Sequence, residues 1–371
     1  MELFSLLSLR SKIKNPGVGV LEKHPKRKYP MYRLLTVVLL AFFATSAFGQ
    51  TDSANYFFQK GLTEKQNGRR MESLKNFEKA AKYNPNDKAI TAELASAYLD
   101  LRKYYQAKES YKKLLELGDQ SAATYKQLLQ LAFNLKTNDE VITYANKLKQ
   151  IDPSEKINYY VGKVNYDNEN YGEAIKYLTA AAKDDPSNAE IPYMIGRSYA
   201  DMDNYKLAIP YYQKAIETDP SKYGWIYELA MICYANNDSK SSVKYFELAA
   251  EKGYPMGNDY YMNLGIAHLD AGNFEQGTTI LNDLLKKRPS DFNLLNMLAE
   301  AYYFKGKYDD AMNYWDTLLG YDKTNAAALY MIGMCYQKKG DKAKGTALCD
   351  KAIEMNPSLA SYKTKRELPI F

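Results

Sequence analysis

The chain has 371 residues, of which 46% are hydrophobic and 25% charged, with a formal net charge of +6. One compact core rarely serves that length, so the chain must form either several domains or an elongated array. Residues 1–49 hold 8 of the 50 basic and 2 of the 44 acidic residues, leaving 42 of each from Gln50 onward; without a basic footprint in the folded part, nucleic acid is excluded as a partner class.

Residues 1–30 read as a basic, aperiodic extension, and Met31 is a candidate start. In segment 31–49, Arg33 precedes an apolar run from Leu34 to Phe43, and Ala47-Phe48-Gly49 follows. That order is the pattern of a secretory signal peptide cleaved before Gln50. The apolar stretch Leu34–Phe48 covers 15 residues, fewer than the ~20 of a spanning helix. The expected location is periplasmic or secreted. The alternative is a signal anchor in the bacterial inner membrane, facing the periplasm and fed by Lys26-Arg27-Lys28, and membrane contact is expected only through this segment. No Cys follows the cleavage point, so lipid attachment there is not expected.

From Ala54 the chain is periodic. Pro85, Pro153, Pro186, Pro220, Pro289 and Pro357 lie 68, 33, 34, 69 and 68 residues apart, one or two units of about 34 each. A fixed period of this size marks helical hairpins that bury their apolar faces against one another. Nine units run from Ala54 to Leu359, and segments such as KAIETDPS (214–221) and KAIEMNPS (351–358) end them. In the clearest unit, 189–222, the eighth residue is Gly196, the eleventh Tyr199, the twentieth Ala208, the twenty-seventh Ala215 and the thirty-second Pro220. This pattern resembles the tetratricopeptide repeat over nearly the whole of the chain beyond Gln50. The resemblance implies an all-α fold, a right-handed superhelix of about nine hairpins, with units one to six over 54–252, units seven to nine over 258–359, and a cap and tail over 360–371.

Small residues let paired helices approach. The eighth place holds Gly61, Ala95, Gly162, Gly196, Ala230, Gly265, Ala299 and Gly333, and the twentieth Ser73, Ala107, Ala174, Ala208, Ser242, Gly277, Ala311 and Gly345. Only the third unit breaks both, with Leu129 and Val141, so its helices should stand farther apart. Short turns such as Asp201-Met202-Asp203-Asn204 and Asp270-Ala271-Gly272-Asn273 are expected to end one helix and cap the next. Gly253-Tyr254-Pro255-Met256-Gly257 lengthens the sixth unit by one residue and is a candidate bend, and residues 249–265 also resemble Sel1-like repeats.

The inventory for catalysis is poor, and the chain is not expected to be an enzyme. Beyond residue 49 the single histidine, His268, falls at an eleventh place and reads as a core residue. Cys233, Cys335 and Cys349 read as small buried hydrophobes, with a Cys335–Cys349 bridge inside one hairpin as the alternative. Neither a zinc ligand set nor a phosphate-binding glycine loop occurs in the sequence, and no metal or cofactor is expected. Asp185 and Asp219, just before prolines, read as loop residues.

The function left is recognition. In the resembled family the first helix of each hairpin lines the concave groove, and its groove places here carry Tyr159, Tyr160, Tyr193, Met194, Tyr227, Met231, Tyr234, Met262, Met297, Tyr303, Phe304, Tyr330, Met331 and Met334. Adaptable Met and flat, polar-tipped Tyr suit a protein partner or extended peptide segment. The competing reading is plain packing of the solenoid. In units one to three the same places are mostly polar, including Gln59, Lys65, Ser96, Asp100, Gln127 and Gln130, so units four to nine are the expected site. The family's clamp for a terminal carboxylate is missing: Lys126 and Gln130 begin it, but Tyr160 and Glu190 stand where Asn and Lys are required. The sequence therefore points to an exported scaffold or adaptor in bacterial envelope assembly or secretion, with a glycan-binding envelope protein using groove tyrosines as the alternative.

Overall fold

The structure, a computed structural model, describes residues 52–363. The basic extension 1–30, the export segment 31–49 and the last residues of the tail lie outside them. No helix among the described residues is long and apolar enough to cross a membrane. All regular elements among them are helical.

The first of two compact units, ending at Leu117, contains α1 (52–66), α2 (Arg70–Tyr83), α3 (Lys88–Asp100) and α4 (Tyr104–Glu116), two helical hairpins. The second begins at Gly118 and holds seven hairpins in succession: α5 (Ala122–Asn134) with α6 (Asn138–Ile151), α7 (Asn158–Asp167) with α8 (Tyr171–Asp184), α9 (Glu190–Asp201) with α10 (Tyr205–Thr218), α11 (Tyr223–Ala235) with α12 (Ser239–Glu251), α13 (Asn258–Asp270) with α14 (Phe274–Lys287), α15 (Phe292–Phe304) with α16 (Tyr308–Tyr321), and α17 (Ala326–Lys338) with α18 (Lys342–Met355). A 3-10 turn, Pro357–Lys363, follows α18 and puts Leu359 into the last core. The nine hairpins coincide with the nine sequence units.

Several helices are amphipathic at the helical period, α14 most strongly. In α14 the buried residues Phe274, Gly277, Thr278, Leu281 and Leu284 form one stripe. Several first helices are capped by a side chain: Asp87, Ser121, Asp291 and Asn325 accept the amides of Ile90, Thr124, Leu294 and Ala328. Asp185 and Asp219 are turn residues. Asp219 accepts both the Ser221 amide (3.1 Å) and hydroxyl (2.6 Å), and Asp152 and Asp322 do the same with Ser154 and Thr324. These bonds to the ionised form hold the carboxyl groups of Asp152, Asp219 and Asp322 below the usual range.

Inside the hairpins the expected capping holds at some turns, where Asp238 and Asp341 accept the Ser241 and Lys344 amides at the starts of α12 and α18, and fails at others. Asn204 and Asn273 stand at the N-caps of α10 and α14 but make no side-chain cap; Asn273 bonds His268 Nδ1 instead (3.2 Å). A residue in the left-handed region closes each turn: Gly68, Arg102, Lys136, Glu169, Asp203, Asn237, Gly272, Gly306 and Gly340, one per hairpin. The backbone amide of the next residue then reaches back into the preceding helix, as Asn204 N–H does to Tyr199 O (2.9 Å) and Asn273 N–H to His268 O (2.8 Å). This backbone bond recurs in all nine hairpins, with or without a side-chain cap, and the side chain at the crest is free to vary at the cost of some strain.

The eighth and twentieth places meet face to face. A Cβ added at Gly333 would lie 2.8 Å from Gly345 O, and one at Gly345 2.6 Å from Gly333 O, so main chain touches main chain. At Gly162 and Gly265 an added Cβ would strike Leu178 and Leu281. Ser73, a twentieth-place residue, donates its hydroxyl to Gly61 O across the hairpin (2.9 Å). Leu129 and Val141 are both fully buried, so the third hairpin fills the same interior with larger side chains.

The cores lie between successive hairpins as well as inside them. The largest joins Tyr303, Trp315 and Leu318 to Met331, Cys335, Cys349 and Leu359. His268 is buried, as its place implies, and burial lowers its pKa. All three cysteines are buried thiols, so the alternative of a Cys335–Cys349 bridge is not realised. Burial raises the Cys233 and Cys335 thiols to about 12, and Cys349 Sγ faces the Tyr330 carbonyl and the Gln337 amide. Across the Gly253–Gly257 step the core continues, with Phe246 and Tyr260 in one cluster. The division into compact units falls at Leu117.

At Lys136, an exposed residue at φ +55, substitution by Gly should raise stability by about 0.5–1 kcal/mol, the left-handed strain outweighing the added freedom of the unfolded chain. Gly340→Ala, at φ +97, should lower it by about 1 kcal/mol. Urea unfolding in which both variants move the same way would contradict this account of the turn.

Candidate partner-binding face

Within the unit beginning at Gly118, the first helices of successive hairpins form a row joined side chain to side chain. Tyr159 on α7 donates to Glu190 on α9 (3.0 Å), Tyr193 on α9 to Glu228 on α11 (3.1 Å), and Tyr234 on α11 to Asp270 on α13 (2.6 Å). Tyr227 on α11 accepts from Asn263 on α13 (2.8 Å). Rings reinforce the row: Tyr193 stacks on Trp225 with centroids 4.4 Å apart, and Tyr227 on Tyr254 at 4.1 Å. Glu228 is the busiest node, also accepting the Tyr212 hydroxyl (2.8 Å) and pairing with Arg197 (3.4 Å). Burial and the neighbouring carboxylates push the Tyr159, Tyr193 and Tyr234 phenols upward, that of Tyr234 to about 12, so all three remain protonated donors at neutral pH.

The fourteen groove residues separate into three groups. Met194, Tyr303, Tyr330 and Met331 are buried, which corrects their assignment to an accessible groove. A first helix is sandwiched between its own second helix and the preceding one, and one step of about 100° carries a side chain from the open face into that sandwich. Met194 accordingly packs with Leu178 and Ala181 of α8, and Tyr330 and Met331 with Trp315 and Leu318 of α16. Tyr159, Tyr193, Tyr227 and Tyr234 are half-buried and hold the row together with their hydroxyls. Met231 and Phe304 are exposed, Phe304 at 72%, while Tyr160, Met262, Met297 and Met334 are half-buried.

Two concavities collect some of these residues. A cleft of about 550 Å³ at the C-terminal ends of α11, α13 and α15 is lined by Tyr234, Ile266, Leu269, Asp270, Phe274, Met297, Glu300, Phe304 and Lys305, among others. A recess of about 210 Å³ holds Tyr159 and Tyr160 with Lys156, Asp184 and Ile191. Five of the residues read from the sequence gather in these concavities, Tyr234, Met297 and Phe304 in the first and Tyr159 and Tyr160 in the second. The sequence reading missed the partners Glu190, Glu228, Asn263, Asp270 and Trp225. Spacing carried the signal: each of these polar partners follows its tyrosine by 31 to 36 residues, about one repeat.

Glu300 stands out in the larger cleft. Its Oε1 accepts the Asn296 amide (2.9 Å), and Asn296 Oδ1 accepts the buried Trp315 indole N–H (2.9 Å). Because an indole N–H only donates, the Asn296 amide has one orientation and must present its NH2 to Glu300. Burial pushes the Glu300 carboxyl above its ordinary range, opposed by that hydrogen bond. No group of His, Cys, Asp or Glu able to hold a metal ion is found among the described residues.

A tetratricopeptide-repeat family model matches residues 58–122, 162–223, 193–255, 227–292, 262–314 and 296–360. The chain belongs to the tetratricopeptide-repeat family. The repeat matches leave out 123–161, where the third hairpin replaces both small residues, and they span 249–265 as tetratricopeptide repeats, not as Sel1-like ones. Among solved structures, the C-terminal part of a tetratricopeptide-repeat protein from Cytophaga hutchinsonii is similar at 18% identity, covering 74% of this chain and 99% of that one (TM-score 0.45). YrrB, described as having an unusual peptide-binding site, is similar at 21% identity over 50% of this chain and 96% of that one (TM-score 0.39). PilW, a type IV pilus biogenesis factor, is similar at 19% identity over 56% and 97% (TM-score 0.40). No curated protein matches the chain.

The division into buried and open tetratricopeptide-repeat residues is measurable. Tyr330→Ala should cost about 3–5 kcal/mol, as for other large aromatic truncations in cores, whereas Phe304→Ala should stay within about 0.5 kcal/mol of the parent. Equal midpoints in urea would show that Tyr330 is not a core residue.

Proposed function

We propose that this chain is an exported scaffold that captures an extended segment of another protein on the first-helix face of its later hairpins, in envelope assembly or secretion. The coarse part is plain: a tetratricopeptide array of this kind is a scaffold for protein interaction. Export is supported by the order of charge, apolar run and small residues in 31–49. Capture is carried by the cleft at the ends of α11, α13 and α15, where Met297 and Phe304 offer an adaptable apolar surface beside the carboxylates Asp270 and Glu300. A concave apolar site with a few fixed polar groups is the usual form of a binding site. The glycan reading draws no support from the tryptophans: Trp225 is stacked on Tyr193 with Lys222 over its ring, and Trp315 is fully buried.

Crosslinking in cells followed by mass spectrometry tests both parts. The expected result is a mature chain beginning at Gln50 and a discrete protein partner whose recovery falls at least about tenfold in a Met297→Ala, Phe304→Ala double variant, the loss of one binding hot spot. Recovery of polysaccharide in place of protein, or undiminished partner capture by the double variant, would overturn capture at this cleft. A chain found only in the cytoplasm would overturn export.

A further inference from the structure

The cleft that carries the proposed capture is specific in charge as well as apolar. Its two carboxylates, Asp270 and Glu300, outnumber its one amine, Lys305. That amine is placed over the Phe274 ring, 5.4 Å from the centroid, beside a second cation, Lys307, at 4.8 Å. The positive charge is therefore held on an aromatic face. Asp270 already accepts the Tyr234 hydroxyl. Glu300 has one oxygen fixed by Asn296 and no ion-pair partner among the described residues.

A half-buried carboxylate in an apolar cleft is costly unless a cation meets it. The relay from Trp315 through Asn296 to Glu300 holds that carboxylate in one orientation, so no ordering of Glu300 is needed on binding. Met297, Leu269 and Phe304 line the same cleft, an apolar surface of the kind along which an alkyl stem lies while its charged head reaches the carboxylate. We infer that the α13–α15 cleft is a pocket for one Lys or Arg side chain of an extended peptide segment, with Glu300 as the charge acceptor and Met297, Leu269 and Phe304 as the bed for its aliphatic stem. This inference rests on the reading of the cleft as a peptide-capture site and specifies what that site selects.

Random peptides displayed on phage and selected on the immobilised full-length chain test it. Recovered sequences should carry Lys or Arg at one position, and a synthetic peptide from that set should bind about tenfold more weakly when that residue is replaced by norleucine, which keeps the stem and removes the charge. Glu300→Gln should abolish the preference while binding of the norleucine peptide is kept. Peptides selected without a basic position, or a preference that survives Glu300→Gln, would overturn the cation pocket and leave peptide capture standing. Recovery of no peptides at all would overturn both.

Discussion

The fold depends on how closely two antiparallel helices can approach. At the eighth and twentieth places of the repeat, main chain meets main chain: the Gly333 and Gly345 backbones leave no room for a Cβ on either side. The remaining contacts of each hairpin follow from this one. With the helices that close, the apolar stripes of successive hairpins within the unit beginning at Gly118, as along α14, interlock, and residues such as Trp315 and Tyr212 become fully buried. Interiors packed at crystal density transmit added volume into strain, so a hairpin closed on small residues depends on them, whereas the third hairpin is built around the larger buried pair Leu129 and Val141.

Stacking hairpins at a fixed spacing also fixes what lies on the open side of the first helices. Tyrosine at one repeat and a carboxylate or amide at the next come within hydrogen-bonding distance because the repeat places them on the same face, one hairpin apart. The row is therefore partly self-satisfied, and only where a side chain has no such neighbour does a binding surface remain. Phe304, Met297 and Glu300 occupy such a place. Glu300 is held by a relay inside its own hairpin and not by the next repeat.

Most of the fold was legible in the residues, because proline spacing and small-residue places report periodic constraints that no single substitution hides. The nine hairpins, the buried His268 and the turn roles of Asp185 and Asp219 all follow from place in the repeat. Two features were not. The left-handed turn residue is Gly in some hairpins and Arg, Lys, Glu, Asp or Asn in others; a backbone conformation satisfied by main-chain bonds leaves little mark on side-chain identity. The groove was overread because adjacent places on a helix differ by about 100°: Tyr193 is half-buried on the row while Met194 is in the core, and a register read from sequence alone does not separate them. Polar partners one repeat away, such as Glu228 for Tyr193, become visible only when tyrosines are paired across units instead of being read within one.

The claim that close helix approach governs the array is tested most directly by equilibrium unfolding of the Gly162→Leu variant. A Cβ at Gly162 would already lie 2.8 Å from Leu178 Cγ and 3.1 Å from its backbone nitrogen. The account predicts a loss of at least ~1–3 kcal/mol in the unfolding free energy, the penalty of overpacking a close-packed contact. A midpoint equal to that of the parent chain would show that the hairpins do not depend on that contact.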